Sequence, residues 1–431
     1  MSPSSLISTM HSILEVLLLS LLLLLLLLTK ATKASRTEVK KFPGFDGELP
    51  SKHYAGYITV GSEFPRRHIY YYFALSERNP IEDPITLWIN GGPGCSAFSG
   101  LVQLMGPFKI MDNPIHVKDL GMIKRNPFSW TKVSSIIFVD SPAGTGYSYA
   151  DKEEDYVTDD TKTVLDLYDF IINWFSKYSE FILNPFYLAG CSYSGVVVPM
   201  LAQEIMNGNE EGIRTKLNFK GYSLGNAAID INIENNAAVT YAYQLGLISD
   251  ELYKNLASSC GGKYWDNDHP ECLRNLENFH MLTKDVNKEH ILCAPCQYGL
   301  ETCMETTGYE STKMFDTLSE GENYDIYCHS FEVTPQRLFN LRTTREDLHA
   351  KPIEVSGPWE RCSKRIQYQR NVLSLTQYHL NLTSKGCRAF FYSGDHDMIL
   401  PYTATLEWIK TLNYSEIEKW HPWFVDDRIA G

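Results

Sequence analysis

The chain has 431 residues, of which 44% are hydrophobic and 21% are charged, so it is long enough for one large α/β domain with an insertion or for two smaller domains. The formal net charge of −13 and the pI near 5.4 argue against nucleic acid and anionic membrane surfaces as partners. No internal repeat stands out, and the low-complexity stretch is a run of leucines near the N-terminus.

That leucine-rich run spans Val16–Leu28 and is interrupted by Ser20. It is too short for a transmembrane helix, which needs roughly 20 apolar residues. Its length fits the apolar part of a secretory signal peptide, with Ala31 and Ala34 as cleavage options, although no Lys or Arg precedes it. We therefore expect residues 1–34 to be a signal peptide and the mature chain to have no stable membrane association, with a signal anchor as the alternative.

Hydrophobic periodicity predicts the elements that follow. In chain order they are strands at Tyr57–Val60, Ile69–Leu75, Ile85–Asn90 and Ser135–Val139, a helix at Thr161–Tyr178, a strand leading into Gly190, a helix at Val196–Asn207, and strands at Leu217–Gly225 and Arg388–Gly394. Between about Asp230 and Trp359 the pattern breaks into polar, cysteine-rich pieces, which we interpret as a cap inserted over the active site rather than a linker. The predicted divisions are a core from 35 to 230, the cap from 231 to 360, and a second part of the core from 361 to 431.

The segment Asn184–Gly195 contains the most informative motif. An apolar strand ends in Gly190-Cys-Ser-Tyr-Ser-Gly195 and a helix follows, which is the form of a nucleophile elbow. The sharp turn exposes the hydroxyl of Ser192, and it requires small residues two positions before and after, which Gly190 and Ser194 provide. The alternative is a serine-rich turn without a catalytic role, but the strand and the helix around it favour Ser192 as a nucleophile.

A glycine-rich loop, Gly91-Gly-Pro-Gly-Cys-Ser96, follows the predicted strand that ends at Asn90. In a fold with a nucleophile elbow, such a loop supplies one backbone N–H of the oxyanion hole, and the residue after the nucleophile supplies the other. We assign these two donors to Gly92 and Tyr193. A plain tight turn or a phosphate-binding loop is the alternative, although no Gly-Lys-Ser/Thr follows as it does in a Walker motif.

The catalytic acid is expected after a later strand. Asp395-His-Asp397 follows the strand that ends at Gly394, and we select Asp397 because the turn can direct a carboxylate at that position towards an imidazole. Asp395 is the less favoured candidate, and a solvated acidic turn is the interpretation without a catalytic role. One histidine, His421, lies beyond Asp397, and its aromatic, loop-like surroundings leave the predicted site without a base.

Together these segments resemble the plant serine carboxypeptidase-like proteins, a peptidase family with the α/β-hydrolase fold. The resemblance covers about Phe42 to Gly431 and rests on Trp88-Ile-Asn-Gly-Gly-Pro-Gly-Cys95, Asp140-Ser-Pro-Ala-Gly-Thr-Gly-Tyr-Ser148, the Ser192 elbow, Gly246-Leu-Ile-Ser-Asp-Glu-Leu252, Trp359-Glu-Arg-Cys362 and Ser393-Gly-Asp-His-Asp397. It implies a central, mostly parallel sheet with an inserted cap. The family's catalytic histidine comes from a Gly-Gly-His-like segment shortly after the point where this chain ends, so we expect a truncated form without the last strand and helix.

Ten cysteines in an exported chain suggest disulfides. The resemblance implies the pairs Cys95–Cys362 and Cys260–Cys272, and it implies that Cys191 and Cys387 are free. Cys328 is expected to pair with one of three candidates, which are Cys293, Cys296 and Cys303. A zinc site at Cys293-Ala-Pro-Cys296 is the competing interpretation, and it lacks a second matching pair of ligands.

A complete Ser–His–Asp site forms an acyl-enzyme, from which water gives hydrolysis and an alcohol gives acyl transfer. We expect Asn90, Gly91 and Cys191 to contact the substrate. The family's carboxypeptidases have a glutamic acid before the nucleophile that helps to bind the substrate's C-terminal carboxylate, and the Cys191 thiol is too weak a donor and acceptor for that role. The motifs resemble the acyltransferase branch more closely, although that branch typically has Asp at this position.

Resemblance to that branch implies transfer from glucose esters of phenolic-type acids to alcohol acceptors, with no cofactor and no metal. A carboxypeptidase that binds a peptide C-terminus is the alternative, and without a base the chain would be an inactive binding protein or an unstable fragment. The expected location is the secretory pathway, ending in the vacuole or outside the cell. In such a chain Asn381-Leu-Thr383 and Asn413-Tyr-Ser415 are glycosylation acceptors.

Overall fold

A computed structural model describes residues 36–61, 66–110, 123–293, 334–425 and 427–429. The predicted signal peptide, at residues 1–34, lies outside this part of the chain. So do Cys296, Cys303 and Cys328.

A large mixed sheet occupies the centre of the described residues. In spatial order its strands are β1 (Glu38–Val39), β2 (His53–Val60), β3 (Arg67–Ala74), β7 (Ser135–Val139), β4 (Ile85–Ile89), β10 (Phe186–Ser192), β11 (Phe219–Ala227) and β13 (Arg388–Tyr392), and β8 (Tyr149–Ala150) pairs with β3 off this path. The strands from β1 to β7 in this order pair antiparallel. From β7 to β13 every pair is parallel.

Three further strand pairs lie outside this sheet. They are β5 (Phe108–Ile110) with β6 (Ile123–Arg125), β9 (Val157–Asp159) with β12 (Gln367–Gln369), and β14 (Phe424–Val425) with β15 (Arg428–Ile429). The β9–β12 pair is parallel and joins parts of the chain more than 200 residues apart.

The helices follow the strands in the order expected for an α/β fold. They are α1 (Phe98–Val102), α2 (Asp160–Lys177), α3 (Ser194–Glu211), α4 (Ile231–Gln244), α5 (Asp250–Cys260), α6 (Pro270–Thr283), α7 (Thr334–Asn340), α8 (Arg342–Asp347), α9 (Ile353–Ser356), α10 (Thr376–Ser384) and α11 (Tyr402–Thr411). Helix α2 begins after Asp159, whose side chain accepts a hydrogen bond from the Lys162 N–H. Helix α3 ends at Gly212, whose φ of +68° lets it close the last turn.

The middle strands of the central sheet are buried on both faces. Along β3, Tyr71 and Phe73 pack in one hydrophobic cluster with α2 and α3, while Tyr70 and Tyr72 pack in another cluster with α1. This alternation is the two-residue period of a strand, and burial on both faces is typical of a sheet covered by helices. The structure therefore confirms the predicted fold class, an α/β-hydrolase with a central, mostly parallel sheet.

The region predicted to be the cap contributes helices rather than sheet strands to the described structure. Helices α4, α5 and α6 share a small hydrophobic cluster that includes Leu256, Phe279 and the disulfide-bonded pair Cys260 and Cys272. Met398, from the segment after β13, also belongs to this cluster. The helical insertion thus contacts the segment that carries the predicted acid, and the division at residues 231 and 360 stays a proposal.

Candidate active site

The turn between β10 and α3 has the geometry of a nucleophile elbow. Ser192 ends the strand with a φ of +58°, a left-handed conformation that residues with a Cβ atom rarely adopt. A Cβ atom on Gly190 would lie 2.2 Å from the Ser194 Oγ and 2.5 Å from the Ile89 carbonyl oxygen, so no larger residue fits there. The strained turn and its small neighbours place Ser192 at the carboxyl end of a central parallel strand.

The glycine-rich loop after β4 lies directly against this turn. A Cβ atom on Gly91 would lie 2.6 Å from the Ser192 Cβ and 2.9 Å from the Tyr193 nitrogen. Gly92 has a φ of +114°, and a Cβ atom there would lie 2.8 Å from the Cys95 nitrogen. The structure thus brings the two residues proposed as oxyanion donors, Gly92 and Tyr193, into one small region around the predicted nucleophile.

Covalent and hydrogen bonds hold the far end of that loop. Cys95 forms a disulfide with Cys362. Beside it, the Ser96 N–H donates to the Arg361 carbonyl at 2.7 Å, and the Ser363 N–H donates to the Gly94 carbonyl at 3.0 Å. The loop is therefore fastened to the segment that follows the inserted region.

Asp140 holds the same loop from the inside, a role that sequence analysis did not assign. Its Oδ1 accepts hydrogen bonds from the Ser96 hydroxyl at 2.7 Å and the Ala97 N–H at 3.0 Å, and its Oδ2 accepts from the Tyr147 N–H at 2.9 Å. The side chain is fully buried, and burial raises its pKa to about 6 although these hydrogen bonds lower it. Asp140 begins the segment Asp140–Ser148, which supported the family resemblance but did not by itself predict a role for this carboxylate.

Cys191 and Asn90 lie side by side next to the nucleophile. The Cys191 Sγ is 4.0 Å from the Asn90 Oδ1, which also accepts a hydrogen bond from the Trp88 indole at 3.3 Å. Burial, and to a smaller extent the negative charge of Asp397, raises the pKa of the Cys191 thiol to about 11. The thiol is therefore neutral near pH 7.

Asp397 lies in the segment after β13. Its Oδ1 accepts hydrogen bonds from the Ile399 N–H at 2.8 Å and the Leu400 N–H at 3.0 Å. Burial raises the pKa of its carboxyl group, and these two N–H donors oppose that rise. Asp395, the other candidate, is exposed and lies 3.6 Å from the His396 ring nitrogen, and Asp397 stays the proposed acid of the site.

The inserted region holds this acidic segment in place. The Ile291 N–H donates to the His396 carbonyl at 3.0 Å, and the Met398 N–H donates to the Lys288 carbonyl at 2.8 Å. The Tyr241 hydroxyl donates to the Asp395 carbonyl. These contacts explain how a loop rich in polar residues keeps one carboxylate directed inward.

None of the histidines in the described residues hydrogen-bonds to Ser192 or Asp397. The ring of His421 is exposed, 3.1 Å from Glu418 and 3.1 Å from the Pro422 carbonyl oxygen. His53 and His379 are buried against tyrosine hydroxyls, and burial lowers the pKa of each to about 3. Within this part of the chain the structure brings together the proposed nucleophile, acid and oxyanion donors, and we assign none of its histidines as the base.

The structure also contains the disulfide Cys260–Cys272, as the resemblance implied. Cys191 and Cys387 carry free thiols, as does Cys293. Because Cys328 lies outside the described residues, its partner stays a prediction. Among the described residues no group of three potential metal-ligating side chains occurs, and none of the described helices combines the length and the hydrophobicity of a membrane span.

The two predicted glycosylation acceptors lie on the surface. Asn381 is exposed on α10, where its Oδ1 accepts a hydrogen bond from Gln377 at 2.9 Å. Asn413 is exposed just after α11 in a left-handed turn, with a φ of +53°. Their exposure is compatible with glycans on the folded chain, and glycosylation stays a proposal.

Comparison with known proteins identifies the class. The solved structure of Kex1(Δ)p, a prohormone-processing carboxypeptidase from Saccharomyces cerevisiae, superposes with a TM-score of 0.66 over 91% of this chain and 83% of that one, at 19% identity. At this identity the likeness shows the fold, and it is the fold of a carboxypeptidase-type α/β-hydrolase.

The chain belongs to the serine carboxypeptidase family, whose model matches residues 43–431. It is 38% identical over 429 residues to Serine carboxypeptidase 1 of Hordeum vulgare, covering 92% of this chain and 85% of the relative. It is 40% identical over 396 residues to Serine carboxypeptidase-like 2 of Arabidopsis thaliana, covering 91% of this chain and 83% of the relative. The resemblance drawn from the motifs is thereby confirmed at the level of the family.

Proposed function

We propose that this protein is a serine carboxypeptidase-like acyltransferase that forms an acyl-enzyme at Ser192. The acyl donors are glucose esters of phenolic-type acids and the acceptors are alcohols. The observation that supports this choice within the family is the neutral, half-buried thiol of Cys191 beside Asn90. A pocket wall of this kind suits an uncharged sugar or alcohol better than the carboxylate of a peptide C-terminus.

In the first step the Ser192 Oγ adds to the ester carbonyl carbon of the donor while a base takes the hydroxyl proton. The carbonyl oxygen becomes an oxyanion, which the N–H groups of Gly92 and Tyr193 stabilise by hydrogen bonds. When the carbon–oxygen bond to glucose breaks, the sugar leaves with the proton and the acyl group stays on Ser192.

In the second step the hydroxyl of the acceptor attacks the acyl-serine carbonyl and gives its proton to the base. The Ser192–acyl bond breaks, Ser192 regains a proton, and the new ester leaves. Both steps require a base between Ser192 and Asp397, and the Asp397 carboxylate would orient and stabilise a protonated imidazole there. Water in place of the alcohol gives hydrolysis, so exclusion of water decides between the two products.

The second candidate is a serine carboxypeptidase that releases C-terminal residues. It is favoured by the family to which the chain belongs and by the name of the barley relative, Serine carboxypeptidase 1. For that reaction the pocket must bind a carboxylate, and an unpaired buried carboxylate oxygen costs about 1–3 kcal/mol, or roughly 5- to 150-fold in binding.

The test is a comparison of two activities in one preparation. Purified protein, supplied with imidazole as the base that none of the described histidines provides, is given a glucose ester with an alcohol acceptor, and separately a blocked dipeptide with a free C-terminus. We expect a larger kcat/KM for acyl transfer than for peptide cleavage, and loss of both activities in Ser192→Ala. In Cys191→Glu the ratio of cleavage to transfer should rise about tenfold or more, because the new acid can share a proton with the peptide carboxylate.

Cys191→Ser is the matched control, since it keeps a small neutral group at the same place. It should leave the ratio of cleavage to transfer within about twofold of wild type, a smaller free-energy change than the loss of one hydrogen bond. A wild-type protein that cleaves peptides more efficiently than it transfers any ester would contradict the proposal in favour of the carboxypeptidase. Absence of both activities would contradict both candidates.

We further propose that the protein passes through the secretory pathway to the vacuole or the extracellular space. Two disulfides support an oxidising compartment, because such bonds are rare in cytosolic proteins. Exposed acceptors at Asn381 and Asn413 agree with that route. A shift in electrophoretic mobility after endoglycosidase treatment of the plant-expressed protein tests it.

A further inference from the structure

The side chain of Asn226 fastens both ends of the loop that carries the proposed acid. Its Nδ2 donates to the Ser393 hydroxyl at 3.2 Å, the Gly394 carbonyl at 3.1 Å and the Leu400 carbonyl at 3.1 Å. Its Oδ1 accepts from the Gly394 N–H at 2.9 Å. The loop from 393 to 400, which we call the acid loop, is thus closed by one amide.

The backbone just after Asn226 contacts the other half of the site. Ala227 pairs with Ser192 between β11 and β10, and the Ala228 N–H donates to the Ser192 carbonyl at 3.0 Å. A Cβ atom on Gly195 would lie 2.4 Å from the Ala228 carbonyl oxygen, so the start of α3 also rests on this segment. Three consecutive residues therefore join the elbow to the acid loop.

Asn226 itself has a φ of +38°, a left-handed conformation in which asparagine is among the better tolerated residues. That conformation turns the end of β11 where its register against β10 shifts, between Cys191 and Ser192. The side chain can consequently point towards the acid loop while the following backbone follows the elbow.

We propose that Asn226 is a positioning residue that sets the spacing between Ser192 and Asp397. This inference rests on the proposed function in one respect, that the two residues act together in acyl transfer. The opposing interpretation is an ordinary loop clamp of structural value alone. The chain offers such a clamp for comparison, since Asn209 accepts from the Leu217 N–H at 2.8 Å and donates to its carbonyl at 2.9 Å, at the other end of α3.

The test combines hydrogen exchange with kinetics on the full chain. Asn226→Gly removes the amide while tolerating the positive φ, Asn226→Asp keeps an acceptor for Gly394 but removes the donors, and Asn209→Ala is the matched control. We expect exchange in peptides covering 190–195 and 393–400 to become at least about fivefold faster in both Asn226 variants, the effect of one lost hydrogen bond. Asn209→Ala should accelerate exchange around Leu217 alone.

Turnover gives the second readout. For a glucose ester and an alcohol with imidazole added as the base, kcat should fall about tenfold or more in Asn226→Gly while KM stays within about twofold, because alignment rather than binding is lost. Exchange at the elbow and the acid loop that stays as slow as in wild type would overturn the inference, and so would faster exchange accompanied by an unchanged kcat. If wild type transfers no acyl group, the proposed function fails, whereas the exchange comparison still decides whether Asn226 holds the two halves together.

Discussion

At the scale of single residues, Asp140 shows how a group far from the chemistry shapes the site. Its carboxylate is fully buried and accepts three hydrogen bonds, two of them from Ser96 and Ala97 at the far end of the loop that contains Gly92. Burying a carboxylate costs folding free energy unless its oxygens accept hydrogen bonds. Loss of Asp140 or of any of its three donors therefore leaves a buried polar group without a partner. The loop next to Ser192 thereby has a fixed internal support.

Replacing Asp140 by Asn should destabilise the protein by about 1–3 kcal/mol near neutral pH, because the new amide opposes the Tyr147 N–H and leaves a buried donor unpaired. Burial raises the Asp140 pKa to about 6 from an ordinary value near 4, so the folded state binds this proton more tightly than the unfolded state.

The stabilisation linked to that proton is complete below about pH 4 and is lost as the pH rises through about 6. The difference in free energy of unfolding between wild type and the Asn variant should therefore be larger near pH 4 than near pH 7. Urea unfolding at both pH values measures it. A difference that grows with pH would show that folding lowers the Asp140 pKa instead of raising it.

Residues with a local steric signature could be predicted from the sequence, whereas residues with distant partners could not. The nucleophile elbow requires small residues close to the nucleophile, and this requirement produces a recognisable motif within five positions, at Gly190, Ser192 and Ser194. Asp140 contacts Ser96 across 44 positions, and Asn226 contacts Gly394 across 168. Nothing in the neighbouring sequence indicates such partners, so only the folded arrangement reveals them.

At the scale of elements, the loop after β4 is held by a bond that spans most of the chain. The Cys95–Cys362 disulfide closes a loop of 267 positions, whereas Cys260–Cys272 closes one of 12 within the insertion. Loop-closure entropy gives about 6 kcal/mol for the first and about 3 kcal/mol for the second. The longer bridge also lies beside the proposed oxyanion donors, and the shorter one does not.

We expect the double substitution Cys95→Ser with Cys362→Ser to lower the melting temperature and to slow the reaction of Ser192 with a fluorophosphonate. The matched double substitution of Cys260 and Cys272 by Ser should lower the melting temperature by less and leave that reaction rate unchanged. Calorimetry and a labelling time course measure both effects. Equal labelling rates in the two double variants would mean that the first disulfide does not support the site.

The central strands and helices could be predicted because the spacing of their hydrophobic residues is typical of each type of element. The strand at Ile85–Asn90 and the helix at Thr161–Tyr178 match β4 and α2 within one residue at each end. Pairings such as β1 with β2 and β9 with β12 were not predicted, because these strands are two to eight residues long and their partners follow no local pattern. The insertion resisted prediction since its helices carry many polar residues among the apolar ones.

At the scale of the whole molecule, the sheet is well covered except at β13. Within the described residues this strand has β11 as its one neighbour, and four of its five residues are exposed, including Phe390 at 64% and Tyr392 at 38%. An exposed strand edge with apolar side chains favours pairing with another chain. This surface differs from that of β4 and β7 in the middle of the sheet, whose residues are all buried.

Phe390→Lys should reduce self-association of the protein, because a charge on the edge strand opposes contact with a second copy. We expect the dissociation constant from sedimentation equilibrium to rise about tenfold or more, the equivalent of about 1.4 kcal/mol. Phe128→Lys is the control, since Phe128 is more exposed but lies in a turn away from this edge. Equal association of the two variants would rule out the β13 edge as the contact.

The most direct measurement concerns the acyl group on Ser192. The protein is mixed with a glucose ester, with and without imidazole added as a base, and the reaction is quenched. The masses of the resulting peptides are then measured by mass spectrometry. We expect an acyl adduct on the peptide that contains Ser192, its absence in Ser192→Ala, and its loss when an alcohol acceptor is added before quenching. An adduct that persists in Ser192→Ala, or none on this peptide under either condition, would show that Ser192 is not the nucleophile.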